Sequence, residues 1–284
     1  MSTGKQLRMK RLIDPGTGTS VICALDHGMT SPVFLPGLYD TRSRLQEAIR
    51  GGANVFMLGP GVASRVAECF SPTTALALML TASTGGRPAG ATITPINSID
   101  MALRYGADAV VVYVALAGDD EAEMITYTSR IAEEAEAKGI PFIAEAEFPN
   151  AYQTLTDATQ NYGVEYLQRN ARLCAELGAD IVKVNWSGNA QSFQQIVRST
   201  SAPVVVAGGT LVSDEELLNR MAQAMEVGAI GCSVGRNIFE HRHPEAMTRA
   251  LCRVIRDRWP VKQALEELGE ALEQKMLSDK AIAE

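Results

Sequence analysis

The sequence predicts an α/β protein of the (β/α)8 barrel class. Three observations lead there. Short, apolar, β-branched runs recur along the chain, helical segments with legible ends separate most of them, and the 284 residues lie near the ~250 such a barrel takes. At 46% hydrophobic and 21% charged, the chain can bury one large core. Residues 1–284 therefore read as a single barrel with a helical extension at the C-terminal end.

The strand-like runs are VICALDHG (21–28), NVFMLGPG (54–61), LALMLTASTG (76–85) and AVVVYVALAG (109–118), then PFIAEAEFP (141–149), DIVKVNW (180–186), PVVVAGG (203–209) and IGCSVGR (230–236). Most are apolar on successive residues, as parallel strands covered on both faces must be. Helical segments lie between them. SRLQEAIRGGA leads into the second run and SIDMALRYGADA into the fourth. EMITYTSRIAEEAEAKGIP and GVEYLQRNARLCAELGAD stop at Gly139 and Gly178, where glycine takes a left-handed turn without strain. SDEELLNRMAQAMEVGA opens with Ser213 three residues before Glu216, a capping box. The helix before the third run is poorly marked. A doubly wound open sheet would want a glycine-rich fingerprint after the first strand, and none stands there. The tail VKQALEELGEALEQKMLSDKAIAE is amphipathic and charge-rich, a helix to pack on the barrel or on a neighbouring subunit.

Composition excludes several function classes. A net charge of −7 carries no footprint for nucleic acid or an anionic membrane. No apolar run is long enough to span a bilayer, and MSTGKQLRMK lacks an apolar signal core, so the expected location is the cytoplasm. The five cysteines are scattered without a C-x-x-C pair, which fits buried thiols in a reducing compartment. With three histidines and no H-E-x-x-H, no metal and no cofactor are expected. P-loop and G-x-S-x-G patterns are absent.

In a barrel, chemistry sits where strands end. Lys183 lies inside the apolar sixth run. A buried ammonium is costly, so the expectation is a lowered pKa and a lone pair free to attack a carbonyl. A buried ion pair or a snorkelling chain would explain it equally. Asp26 closes the first run at the barrel mouth, as a turn residue or a functional carboxylate. His27 beside it reads as a packed or hydrogen-bonded support, or as an acid–base group. Gly208 and Gly209 close the seventh run, and Gly235 and Arg236 the eighth. Successive glycine turns at these strands suit a phosphate held by backbone N–H groups, with a guanidinium to grip it. Glu145 and Glu147, two apart, share one face of the fifth strand. They would serve acid–base work or anchor other polar groups.

Together these stretches resemble the barrel-type class I aldolases, which include the archaeal-type fructose-bisphosphate aldolases. ALDHG, ELGADIVKVNWSG, APVVVAGG, SDEE and GAIGCSVGRNIFEHRHPEAM follow in the family's order, with GGANVFML and RYGADAVVVYV around them. The resemblance spans roughly residues 8–268. Its C-terminal third looks nearest to the 2-amino-3,7-dideoxy-heptulosonate synthases, which run a transaldolase-like reaction. The thiolase acting on phosphorylated autoinducer-2 breakdown products is another relative.

The resemblance implies a phosphorylated keto substrate, a Schiff-base lysine at Lys183, an acid–base aspartate at Asp26 and a phosphate on Gly208–Gly209 and Gly235–Arg236. It also implies a homo-oligomer, commonly a decamer. No metal is needed, because a protonated imine polarises the neighbouring C–C bond. One departure stands out. Where relatives carry Tyr-Pro-Arg after the fifth strand, this chain has Phe148, Pro149 and Asn150, so the family's acid–base tyrosine is missing. Tyr152, Tyr113, Glu145 and Glu147 are the candidates to replace it, and Phe148 is expected to face the substrate. Three functions follow in order: a Schiff-base aldolase or transaldolase on a phosphorylated ketose or hydroxyketone, a thiolase-like acyl transfer from a phosphorylated diketone to coenzyme A, and a non-catalytic sugar-phosphate-binding barrel. Retention of both Lys183 and Asp26 argues against the last.

Overall fold

The structure is a computed structural model and describes residues 2–31, 33–83, 93–116, 120–149 and 163–283. Eight parallel strands close into a barrel. They are β1 (Ser20–Ala24), β2 (Val55–Leu58), β3 (Ala75–Met79), β4 (Ala109–Val114), β5 (Phe142–Ala146), β6 (Ile181–Asn185), β7 (Val204–Ala207) and β8 (Gly231–Val234). Each pairs with its chain neighbours, and β1 closes on β8 with Ser20 opposite Gly231. The helices are α1 (Thr3–Leu12), α2 (Thr41–Gly51), α3 (Ile99–Arg104), α4 (Glu121–Lys138), α5 (Gly163–Leu177), α6 (Ala190–Ser199), α7 (Asp214–Glu226), α8 (Pro244–Ile255) and α9 (Val261–Ala283), with single helical turns between some of them.

The strand pleat divides the core in two. One set of side chains points inward: Ile22, Val55, Met57, Met79, Val111, Ile143, Ile181 and Val205 fill the barrel. The alternate set, with Val21, Phe56, Leu78, Val110, Phe142 and Val182, meets the helices. Both faces are apolar, which is why the strands read as continuous runs.

The third unit departs from the expectation of one strand over 76–85. The barrel ladder ends at Met79, opposite Val111. Thr81–Ser83 then pairs antiparallel with Ile93–Pro95 in a separate two-stranded ribbon. The Thr81 hydroxyl, meanwhile, accepts from Tyr113 N at 3.0 Å. Before β3 stand only the single turns Pro60–Ala63 and Ala67–Cys69, which accounts for the weak helical signal. The capping box at Ser213 is half formed. Ser213 Oγ accepts from Glu216 N at 3.2 Å, but the Glu216 carboxylate turns to Arg220 instead of back to the cap.

Helix α1 closes the N-terminal end of the barrel. Leu12 plugs the interior with Met9 and Ile13 around it. Residues just ahead of alternate strands hold the helix. Asn54 donates to the Arg11 and Leu12 carbonyls, Asp108 pairs with Arg11 at 2.7 Å, and Asp180 with Lys5 at 2.9 Å. Along α9, Ala264, Leu268 and Leu272 are buried, whereas Met276 and Leu277 are exposed. Among the described residues no helix is long and apolar enough to cross a membrane.

Candidate active site

Register brings the candidate residues together. Tyr113 lies opposite Glu145, and Glu145 opposite Lys183, across β4, β5 and β6. Side chains at one level of a parallel sheet point the same way, so these three line one patch of the barrel mouth. The Lys183 ammonium donates to Glu145 Oε1 and stands 2.9 Å from Glu147 Oε1. Asp26, on the turn after β1, brings a third carboxylate to the same cleft. Thr30, Asn185, Ser233 and the four phosphate candidates complete its described wall. Its void, counting the solvent-open part, is about 520 Å³.

Three carboxylates crowd one ammonium, all buried, and this reverses one expectation. Burial by itself pushes the Lys183 pKa down. The charges of Glu145, Glu147 and Asp26 and the Glu145 hydrogen bond outweigh it, so the net shift is up. At rest Lys183 is an ammonium and not the free amine expected from burial alone. Burial also pushes Glu145 up, to about 8, with the charges of Asp26 and Glu147 adding to it and Lys183 opposing. Asp26 is raised by burial, against the pull of Lys183. Glu145 is thereby primed to carry a proton near neutral pH, the condition for acid–base work.

His27 is held in the same cleft beside Asp26. Burial first, then the charges of Lys183 and Arg236, push its pKa down to about 3, so the ring is neutral. It packs edge-on against Phe239, with centroids 5.1 Å apart. Its Nδ1 is 3.9 Å from Asp26 Oδ1, and neither atom has a hydrogen-bond partner. The ring also explains Gly235: a Cβ there would stand 2.2 Å from His27 Cε1 and 2.6 Å from the Ala24 carbonyl oxygen. Gly209 has φ +70°, the left-handed region that glycine enters freely. Arg236 opens the single turn Arg236–Phe239 at the cleft wall.

Phe148 is not where the sequence suggested. It does not line the cleft; its ring stacks on Tyr166 at 6.1 Å, buried in the layer between barrel and helices. The chain turns over there, with Phe148 N donating to Asn185 Oδ1 at 2.7 Å. Tyr113 does line the cleft, but its hydroxyl donates to the Phe148 carbonyl at 2.5 Å. Tyr152 lies outside the described residues.

Sequence reasoning missed two residues that shape the site. Asn185 follows Lys183 by two and shares its face, a signal the alternation rule could have found. Asn237 is buried behind the seventh-strand turn. Its amide donates to the Gly208 and Thr210 carbonyls at 3.3 and 3.0 Å and accepts from Val212 N at 3.1 Å. It therefore holds the Gly208–Gly209 turn against the eighth-strand turn. Its only sequence signal was an amide inside the apolar stretch RNIF.

A second, more open cleft, with a void of about 720 Å³ counted the same way, lies between Trp186 and α7, and includes Arg220 and Glu216 in its wall. Among the described residues no lysine, cysteine or histidine lines it.

The chain is similar to known proteins along most of its length. The model of the DeoC/LacD family aldolases matches residues 20–241. A 2-amino-3,7-dideoxy-D-threo-hept-6-ulosonate synthase of Halobacterium salinarum is 32% identical over 266 residues, covering 94% of this chain and 97% of that protein. One of Archaeoglobus fulgidus is 33% identical over 266 residues, covering 94% and 96%. Among solved structures, an archaeal fructose 1,6-bisphosphate aldolase superposes with a TM-score of 0.77 at 25% identity, over 88% of this chain and 99% of that one. Another, with its catalytic lysine covalently bound to the carbinolamine intermediate of the substrate, gives 0.76 at 25% identity and the same coverage.

Proposed function

The chain belongs to the DeoC/LacD family aldolases and is an enzyme of the class I, Schiff-base type; on that footing we propose that Lys183 is its nucleophile and that it makes or breaks a C–C bond in a phosphorylated ketose or hydroxyketone. The observation that carries this is the ammonium of Lys183 set against Glu145 and Glu147 at the floor of a cleft, with Asp26 across from it.

The steps follow from the charges. Lys183 must first lose a proton, and Glu145 already accepts its hydrogen bond. A carboxyl pushed up to about 8 can hold that proton. The neutral amine then adds to the ketone carbon, giving a carbinolamine. Asp26, raised by burial, protonates the hydroxyl so that it leaves as water, and a protonated imine remains. The C–C bond beside the imine breaks with its electrons flowing to nitrogen, forming an enamine. A base must take the hydroxyl proton of the departing carbon, which leaves as an aldehyde. In relatives a tyrosine does this; here Glu147 takes its place, since Phe148 is turned away and the Tyr113 hydroxyl is engaged. Gly208, Gly209, Gly235 and Arg236 hold the phosphate, with Asn237 fixing their spacing.

The test is to incubate the protein with phosphorylated ketoses and diketones, with and without coenzyme A. Aldehyde release independent of coenzyme A, and lost in Lys183→Ala, is the expected result. Acyl-coenzyme A formation without aldehyde would transfer the site to the thiolase-like reaction.

A further inference from the structure

A count of hydrogen-bond donors around Lys183 says what the substrate must bring, given the Schiff-base reading on which the count rests. A lysine ammonium has three N–H donors. Around Nζ stand Glu145, bonded to it, and Glu147 at 2.9 Å, with the charge of Asp26 also acting on it. Imine formation changes that supply. Once the proton on Glu145 has returned to Asp26, the water formed from the carbonyl oxygen has taken, in net, two of the hydrogens the ammonium held. The iminium keeps the third, together with the positive charge. Net charge is conserved, but two donors are gone from a buried pocket.

The remaining N–H can serve one carboxylate. Glu145 faces Lys183 in register and keeps it. Glu147 is then left with a buried oxygen and no donor. Among the described residues its Oε1 already makes no directed hydrogen bond, and neither does Asp26 Oδ1; both residues are only 6% exposed. A buried carboxylate without donors is costly. We propose that the substrate supplies the missing donor: Glu147 reads a free hydroxyl on a carbon flanking the ketone, so the site selects hydroxylated phosphoketoses over their deoxy counterparts.

The cleft fits this division. Its phosphate candidates lie on the turns after β7 and β8, two and three strands round the barrel from β5, so a short phosphoketose bound between them presents its other flank to Glu147. The reading also separates this chain from its relatives named for a 3,7-dideoxy product. Those names place the ketone at carbon 6 beside a deoxy carbon 7, which lacks the hydroxyl Glu147 would read.

Two probes differ by that one hydroxyl: dihydroxyacetone phosphate and hydroxyacetone phosphate. With borohydride present, each is trapped on Lys183 at subsaturating concentration, and the rate of mass gain on its peptide is measured. Rates are divided by those of the same ketones with butylamine, which removes intrinsic reactivity. The wild type is expected to trap the hydroxylated probe about 10- to 100-fold faster, the effect of one hydrogen bond to a charged group. In Glu147→Gln, which keeps size and removes charge, the preference should fall to within about threefold. Equal trapping of both probes by the wild type would overturn the proposal, because water would then be serving Glu147. An unchanged preference in Glu147→Gln would overturn Glu147 as the reader. No adduct on Lys183 with either probe would overturn the Schiff-base reading and the proposal with it.

Discussion

Two buried lysines sit at opposite ends of this barrel, and their surroundings differ in one respect that matters. Lys5 on α1 is 2% exposed and Lys183 on β6 is 8% exposed. Both pKa values are pushed up, because carboxylate partners outweigh burial in each case. At Lys5 the partners are spoken for. Asp180 Oδ2 also accepts from Phe142 N at 2.8 Å, and Glu136 is more than half exposed to water. Nothing there is left unsatisfied for a ligand. At Lys183 three carboxylates share one positive charge, two carboxylate oxygens lack hydrogen bonds among the described residues, and the group faces a cleft. A buried charge alone therefore marks nothing. Surplus acceptors beside open space mark the site, and Lys5 is a pin holding α1 to the barrel.

The comparison can be broken first at the lysines themselves. Lys183→Ala should lower turnover by roughly 10⁴-fold or more, since no other group can form the imine. Lys183→Arg should be equally inactive, because arginine stays protonated. Thermal unfolding should show both variants folded. Lys5→Met should do the reverse. Activity per folded molecule should hold, while stability in denaturant titration falls by about 1–3 kcal/mol, a range kept low because Glu136 is water-exposed. Loss of activity in folded Lys5→Met would mean the two ends are coupled.

A smaller effect is expected at Asn237. Asn237→Ala removes the amide that clamps the seventh-strand turn, so KM for a phosphorylated substrate should rise about tenfold with less change in kcat. An unphosphorylated analogue should be turned over as by the wild type. Equal losses on both would show a general packing role.

The smallest effect is a slope with pH. His27 is neutral when folded, with a pKa near 3, and rises to its ordinary value of 6.5 when unfolded. Between these values the unfolded chain binds the extra proton, so His27 makes stability fall as pH drops from 6.5 toward 3. One such group contributes at most about 1.4 kcal/mol per pH unit. Glu145 acts in the opposite sense between 4.5 and about 8, where the folded state holds the proton. His27→Phe should flatten the acidic limb of a stability–pH curve. An unchanged limb would mean the ring is charged when folded.

Much of this was legible before any coordinates. Six of the eight barrel strands lie within their sequence runs and the first begins one residue ahead of its run, because strands covered on both faces read as unbroken apolar stretches. The third run was drawn too long for the same reason. LALMLTASTG stays largely apolar across the point where the chain leaves the barrel, and apolarity cannot show a change of hydrogen-bond partner. Lys183 and Asp26 stood out as charges at apolar strand ends. The direction of the Lys183 shift did not, because it depends on Glu145, 38 residues away in sequence. The facing of Phe148 was equally hidden. It follows the strand, where alternation no longer applies, and Asn185 sets the turn. Lys5 drew no notice, since TGKQLRMKRL reads as a polar surface helix until Asp180 and Asp108 are seen to meet it.

The central claim is that surplus carboxylates make Lys183, and not Lys5, the reactive amine. The direct measurement is one tube of wild-type protein with dihydroxyacetone phosphate and borohydride, digested and analysed by mass spectrometry for both lysine peptides. The account predicts one added three-carbon phosphate skeleton on the Lys183 peptide, loss of activity in step with it, and an unmodified Lys5. An adduct on Lys5, or inactivation with Lys183 unlabelled, would contradict it.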